Sequence, residues 1–254
     1  MANILDKYGI KEVADVVFYE VTDTGERGAP ALYLDTLKVS TIEQTAEEAE
    51  ARGGKGNPPL IIWDYGKEIT VTLEDALFSA KSMAVMFGNG QVDTIASTDT
   101  VPTLYKTIQF TATGTTTAAA PTQWEGPRGA MFPITGASYY DATGAAATSF
   151  TVGEKYFATF PLNADGSVID ISANSFPGTY YVTGDTYARS QVSGNDEFFQ
   201  FIIPRAKVQS ENTITLEAEG DPSVFNLNIR VLRPESGAMM KLVKYNMPET
   251  GGGG

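Results

Sequence analysis

Lys67-Glu68-Ile69-Thr70-Val71-Thr72-Leu73 places Ile69, Val71 and Leu73 at every second position, with Glu68, Thr70 and Thr72 between. Successive side chains on a strand leave opposite faces, so the stretch reads as a strand with one apolar face and one wet face. Just upstream, Leu60 to Trp63 reads as a separate strand, split from it by Asp64-Tyr65-Gly66. The same pattern returns far down the chain. Ile214, Leu216 and Ala218 alternate with Thr213, Thr215, Glu217 and Glu219, and a turn at Gly220-Asp221-Pro222-Ser223 follows. Phe225, Leu227, Ile229 and Val231 then alternate with Asn226, Asn228 and Arg230. This period of two in distant segments predicts a mainly β fold with one-sided sheets.

Working outward, Asp15 to Val21 is rich in β-branched and aromatic residues and ends in the turn-forming run Asp23-Thr24-Gly25-Glu26-Arg27-Gly28. Leu32, Leu34, Leu37 and Val39 follow near a period of two, with a slip at Asp35-Thr36 that reads as a bend or bulge. From Glu43 the pattern fails. Glu43, Glu47, Glu48 and Glu50 sit among small residues and lead into Arg52-Gly53-Gly54-Lys55-Gly56-Asn57-Pro58-Pro59. Gly and Pro break both helix and ladder, so Glu43 to Pro59 reads as a long loop, with at most one helical turn at its start. Ser79 is the expected N-cap of a helix over Ala80 to Phe87, with Met83, Met86 and Phe87 on one face and Gly88-Asn89-Gly90 as the stop.

Between Thr111 and Ser149 lie tracts of Thr, Gly and Ala with little capacity to form a core. Residues 113–175 therefore read as a β-rich insertion into a core built from 1–112 and 176–250, with Gly251 to Gly254 as a flexible tail. Within it, Tyr156 to Leu162 and Ser167 to Ile171 flank Asn163-Ala164-Asp165-Gly166, a hairpin signal. Tyr180 to Thr183, Phe198 to Ile203 and Met239 to Tyr245 supply the remaining strands.

Composition narrows the chemistry. The chain of 254 residues has no cysteine and no histidine, which removes disulfides, thiolate ligands, the usual general base and any Ser-His-Asp arrangement. No catalytic, cofactor-binding or metal-binding residue is assigned. The net charge of −13 opposes tight binding of phosphates. The N-terminus lacks the apolar run of a signal peptide and no stretch suits a membrane span, so synthesis in a cytoplasm is expected.

Weak motifs have plainer readings. Glu74-Asp75 and Asp196-Glu197 are carboxylate pairs, but neighbours on a strand point apart. Gly53 to Asn57 resembles a phosphate loop, yet Ala49 and Gly56 stand where that motif requires Gly and Ser or Thr. Asn163 to Ser167 lacks the ligand series of a calcium loop. Trp63 and Trp124 could stack on sugars, against the simpler reading of core and interface aromatics.

Two stretches, Asp35 to Ser79 and Phe201 to Lys241, resemble bacteriophage tail tube (major tail) proteins in their sequence texture, through segments such as Trp63-Asp-Tyr-Gly-Lys-Glu-Ile-Thr-Val-Thr-Leu-Glu-Asp-Ala-Leu-Phe-Ser79 and Phe201-Ile-Ile-Pro-Arg-Ala-Lys-Val-Gln-Ser210. The resemblance covers about the first hundred and last eighty residues. It implies a tail-tube-like β-sandwich with a flanking helix, forming hexameric rings that stack into a conduit for the genome. In that picture the Glu43 to Pro59 segment, with Glu43, Glu47, Glu48, Glu50, Arg52, Lys55 and Asn57, reaches a neighbouring ring. The polar strand residues Glu68, Thr70, Thr72, Thr213, Thr215, Glu217, Glu219, Asn226, Asn228 and Arg230 face the lumen, where acidic groups keep passing DNA from sticking. The insertion sits on the tube exterior. Implied partners are further copies of the chain, tape-measure and baseplate or tail-tip proteins, and sheath if the tail contracts, all in a virion tail. The competing readings are a β-rich module recognising glycans or a host surface, another tail component, and a carboxylate enzyme.

Overall fold

A computed structural model describes residues 7–10, 12–88, 90–99, 104–211, 213–214 and 224–247. The chain divides into two compact units, 1–92 with 169–254 and 93–168. The first holds β1 (Tyr8–Ile10), β2 (Asp15–Val21), β3 (Arg27–Leu34), β4 (Leu37–Arg52), β5 (Pro59–Asp75) and α1 (Ala80–Phe87). The second holds β6 (Asp93–Ile95), β7 (Leu104–Thr111), β8 (Gln123–Glu125), β9 (Met131–Pro133), β10 (Ser138–Asp141), β11 (Lys155–Leu162) and β12 (Gly166–Val168). The chain then returns to the first unit with β13 (Thr179–Ser190), β14 (Asp196–Val208), β15 (Phe225–Val231) and β16 (Lys241–Tyr245). The protein is mainly β, as its alternating segments predict.

The first unit is organised around β14. Its early half, Phe198 to Ile202, pairs with β16, while its end, Ala206 to Val208, pairs with β15. All pairings are antiparallel, in the order β3-β2-β13-β14-β15-β5-β4, with β1 alongside β13. Inward residues from both ends of this sheet meet in one core. Val16 and Phe18 of β2, Val71 and Leu73 of β5, Ile203 of β14 and Leu227 of β15 belong to it, and α1 adds Val85 and Met86. Each such side chain contributes about 1.5 to 3 kcal/mol by leaving water. Gly184 of β13 lies so close to the Phe201 ring that a Cβ there would fall 2.1 Å from it, which explains a glycine inside a central strand.

The helix forms where its sequence signals predict. The Ser79 hydroxyl accepts the Ser82 N–H at 3.1 Å, and the Ser82 hydroxyl accepts the Ser79 N–H at 2.8 Å, a reciprocal cap. At the other end the N–H groups of Gly88 and Gly90 both donate to the Ala84 carbonyl, ending the helix there.

Four local expectations are corrected. The Glu43 to Pro59 loop is mostly strand: β4 runs to Arg52 and pairs with β5 from Pro59 onward, leaving Gly53 to Pro58 as the turn. Leu60 to Leu73 is one strand, not two, because Asp64-Tyr65-Gly66 carries a bulge within a continuous ladder. The Asp35-Thr36 slip ends β3 instead of bending it. Asn163 to Gly166 does not close a hairpin, since β11 pairs with β7 and β10 while β12 pairs with β6. There the Asp165 carboxylate accepts the Ser97 N–H at 2.8 Å, a non-local bond that a local turn signal cannot reveal.

The expected insertion boundaries, 113 and 175, differ from the structural division at 93 and 168. The reason is pairing: β7 is the partner of β11 along its whole length, so residues from Leu104 belong with the second unit. That unit has its own small aromatic core. Phe150 is buried among Phe110, Tyr139 and Tyr156, with ring centroids 4.7 to 5.4 Å from it.

Candidate assembly surface

Directly opposed residues in an antiparallel ladder share a face, so register assigns the outward side chains. On β15 and β5, Asn226 stands opposite Glu74, Asn228 opposite Thr72 and Arg230 opposite Thr70. On β4, Thr41 is opposite Thr72, Glu43 opposite Thr70 and Thr45 opposite Glu68. Glu68, Thr70, Thr72, Asn226, Asn228 and Arg230 thus lie on one polar face, and Glu43 joins them from β4. The Thr72 hydroxyl donates to the Asn228 side-chain Oδ1 at 3.2 Å, and Arg230 pairs with Glu68. Glu43, Glu68 and Glu74 against Arg230 and Lys207 leave this face acidic by one charge. Thr213 is exposed outside any strand, and Thr215, Glu217 and Glu219, with the expected Gly220 to Ser223 turn and the Gly251 to Gly254 tail, lie outside the described residues.

Below Glu68 the ladder leaves the core. From Pro59 to Glu68 every residue of β5 is exposed, and its partner β4 is exposed from Thr41 to Glu50. The two strands form a hydrogen-bonded arm. Its turn uses left-handed backbone at Gly54, Gly56 and Asn57, with φ of 84, 87 and 50°. Lys55 stands at that tip, while Arg52 pairs with Glu50. The phosphate-loop reading fails here because the turn leads into a strand, with no helix N-terminus to meet a phosphate.

The bulge decides what the arm shows. Thr45 opposes Glu68, but Glu47 opposes Tyr65, so β5 carries one extra residue, accommodated by Gly66 at φ 62°. Beyond it the side-chain alternation of β5 is inverted. Tyr65, Trp63 and Ile61 come onto the face of Thr45 and Glu43, beside Glu47, Ala49 and Ala51. Leu60, Ile62 and Asp64 take the other face, with Glu48 and Glu50. Trp63 and Tyr65 are each 53% exposed, so this arm presents large apolar side chains to solvent on a chain of charge −13. The seven residues read as one loop are thus divided: Glu43 lies on the polar face, Glu47 on the aromatic face, Glu48 and Glu50 opposite it, and Arg52, Lys55 and Asn57 toward the tip. Sequence reading missed the aromatic row itself, whose signal is the Ile61, Trp63, Tyr65 spacing.

The members of each carboxylate pair point to different surroundings. Asp75 is buried and accepts from Thr36, and its neighbour Glu74 faces the other way. Asp196 binds Arg189 through two bonds of 2.6 and 2.7 Å, and Glu197 pairs with Lys244. The guanidinium holds the Asp196 carboxyl below its ordinary range. Among the described residues no cluster of three or more acidic, His or Cys side chains is placed to hold a metal. Trp124 is engaged within the chain, stacked on Phe132 at 5.0 Å and carrying the Lys106 ammonium 4.9 Å from its ring centroid.

Among the described residues no helix is long and apolar enough to cross a membrane. The chain combines an antiparallel sheet around one core with an exposed two-stranded ladder. It belongs to the YomU/Tube protein family, which matches residues 8–244, and so to a phage tail-tube-like family of structural virion components. No curated protein matches the chain.

Proposed function

We propose that the chain assembles into stacked hexameric rings that form the tail tube and conduct the phage genome. The observation that carries this reading is the arm: a two-stranded ladder outside its own core, bearing Ile61, Trp63 and Tyr65 in solvent. Contiguous exposed apolar groups of this kind mark a protein interface, and the other copies of the chain are the partners present in a tube. The tip residues Arg52, Lys55 and Asn57 and the carboxylates Glu47, Glu48 and Glu50 then meet a neighbouring ring. The polar face of Glu43, Glu68, Thr70, Thr72, Asn226, Asn228 and Arg230 lines the lumen. Its hydroxyls and amides keep it wet, and its acidic balance repels DNA phosphates during passage.

In this reading residues 93–168 stand on the tube exterior, where an added unit leaves the bore open. Tape-measure protein occupies the lumen before ejection, tail-tip or baseplate proteins end the tube, and a sheath surrounds it if the tail contracts. The test replaces residues 46–67 by Asn-Gly, a two-residue turn that closes the ladder at Thr45 and Glu68. The shortened chain should keep its circular dichroism and lose rings and tubes in negative-stain electron microscopy. Tubes formed without the arm would reject the reading.

A further inference from the structure

The far end of the sheet carries a second aromatic surface. Tyr187 of β13 stands opposite Phe198 of β14, and Phe198 opposite Tyr245 of β16. The three rings form a ladder across hydrogen-bonded strands, with centroids 5.7 and 5.3 Å apart and the second pair nearly parallel at 18°. Tyr187 is half exposed and Phe198 39% exposed. The Arg189 and Asp196 pair borders them on the same face, where it ties β13 to β14.

We infer that this ladder is the seat on which the arm of a second copy docks, an inference that rests on the stacking role proposed above. Stacking of identical rings in one direction is heterologous, so each chain must carry two different patches that fit each other. The arm is one. The ladder suits the other because its rings are already fixed by three paired strands, and preorganised aromatics bind at low entropic cost. Shape agrees, since the partners opposite Trp63 and Ile61 on that face are the small residues Ala49 and Ala51, beside which rings can pack. Charge agrees as well. On the Trp63 face the arm bears Glu47, and exposed Lys241 lies on the ladder's face of β16, four residues before Tyr245. The rival surface is weaker. Exposed Leu77, Phe78, Ile171 and Phe176 lie on loops, and Phe78 is already stacked on Phe225 at 6.0 Å.

The chain has no cysteine, so introduced thiols are unique reporters. Two full-length variants, Ala49→Cys on the arm and Val243→Cys beside Tyr245, are mixed, assembled and treated with a short bismaleimide. One carries a larger tag, so that the mixed dimer has its own mobility. The mixed dimer should rise about tenfold or more over the same proteins treated before assembly, because docking raises the local concentration of the two thiols. Tubes that form without a mixed dimer would overturn the ladder as the seat while leaving the tube reading intact. A chain that forms neither rings nor tubes at any concentration would overturn both.

Discussion

The two halves of β5 share the partner β4, but only the upper half also pairs with β15, and they live in different surroundings. Between Ile69 and Asp75 the apolar positions are sealed in a core and the outward ones are Thr and Glu. Between Pro59 and Glu68 the same ladder continues with both faces in solvent and with its largest side chains uncovered. Backbone pairing is therefore enough to carry a strand past the body of the protein. The upper half stabilises the monomer, and in the proposed assembly the lower half is buried by another copy.

This contrast predicts a graded series. The largest effect on folding belongs to Leu73→Ala, which empties a fully buried site and should cost about 2 to 5 kcal/mol in urea unfolding. A loss under about 0.5 kcal/mol would mean that β5 does not anchor the core. Gly184→Ala pushes a methyl into Phe201 and should cost about 1 to 3 kcal/mol by the same measurement. Trp63→Ser on the arm should change monomer stability by no more than about 0.5 kcal/mol while abolishing tubes. A large drop in its thermal midpoint would erase the distinction between the two halves.

The pH dependence sharpens the same comparison at the core. Burial, and then the charge of Glu20, raises the Tyr180 hydroxyl above its ordinary value. The folded chain thus holds that proton more tightly than the unfolded chain. Its contribution is complete below about pH 10, the ordinary tyrosine value, and is lost as pH rises through the raised one. Tyr180→Phe should flatten the alkaline limb of a stability profile, and an unchanged limb would mean that this hydroxyl does not set it.

Much of the body was legible because its cues are local. Ile69, Val71 and Leu73 announce their face by spacing, and Ser79 with Gly88 brackets the helix by capping chemistry. The arm was not legible, for a physical reason. Ala46, Glu47, Glu48, Ala49, Glu50 and Ala51 are good helix formers and poor strand formers, and they are extended because β5 supplies a partner all along them. Asn163 to Gly166 failed in the opposite way: its turn signal is real, but the strands it joins belong to different sheets. The polar face was readable one strand at a time. Only the register of β4, β5 and β15 joins Glu43 to Asn228 on a single surface.

Gly66 gives the arm an unusual kind of adjustability. Because alternation along a strand has only two settings, one residue gained or lost there is a half-turn of the arm's presentation, with the body above and the tip below unaltered in sequence. Removing Gly66 would send Tyr65, Trp63 and Ile61 to the opposite side and bring Asp64 and Ile62 forward in their place. A single-codon change could therefore exchange an aromatic contact for an acidic one. Under the proposed assembly, such a variant would still fold but would not co-assemble with the parent chain, since the two would differ by phase alone.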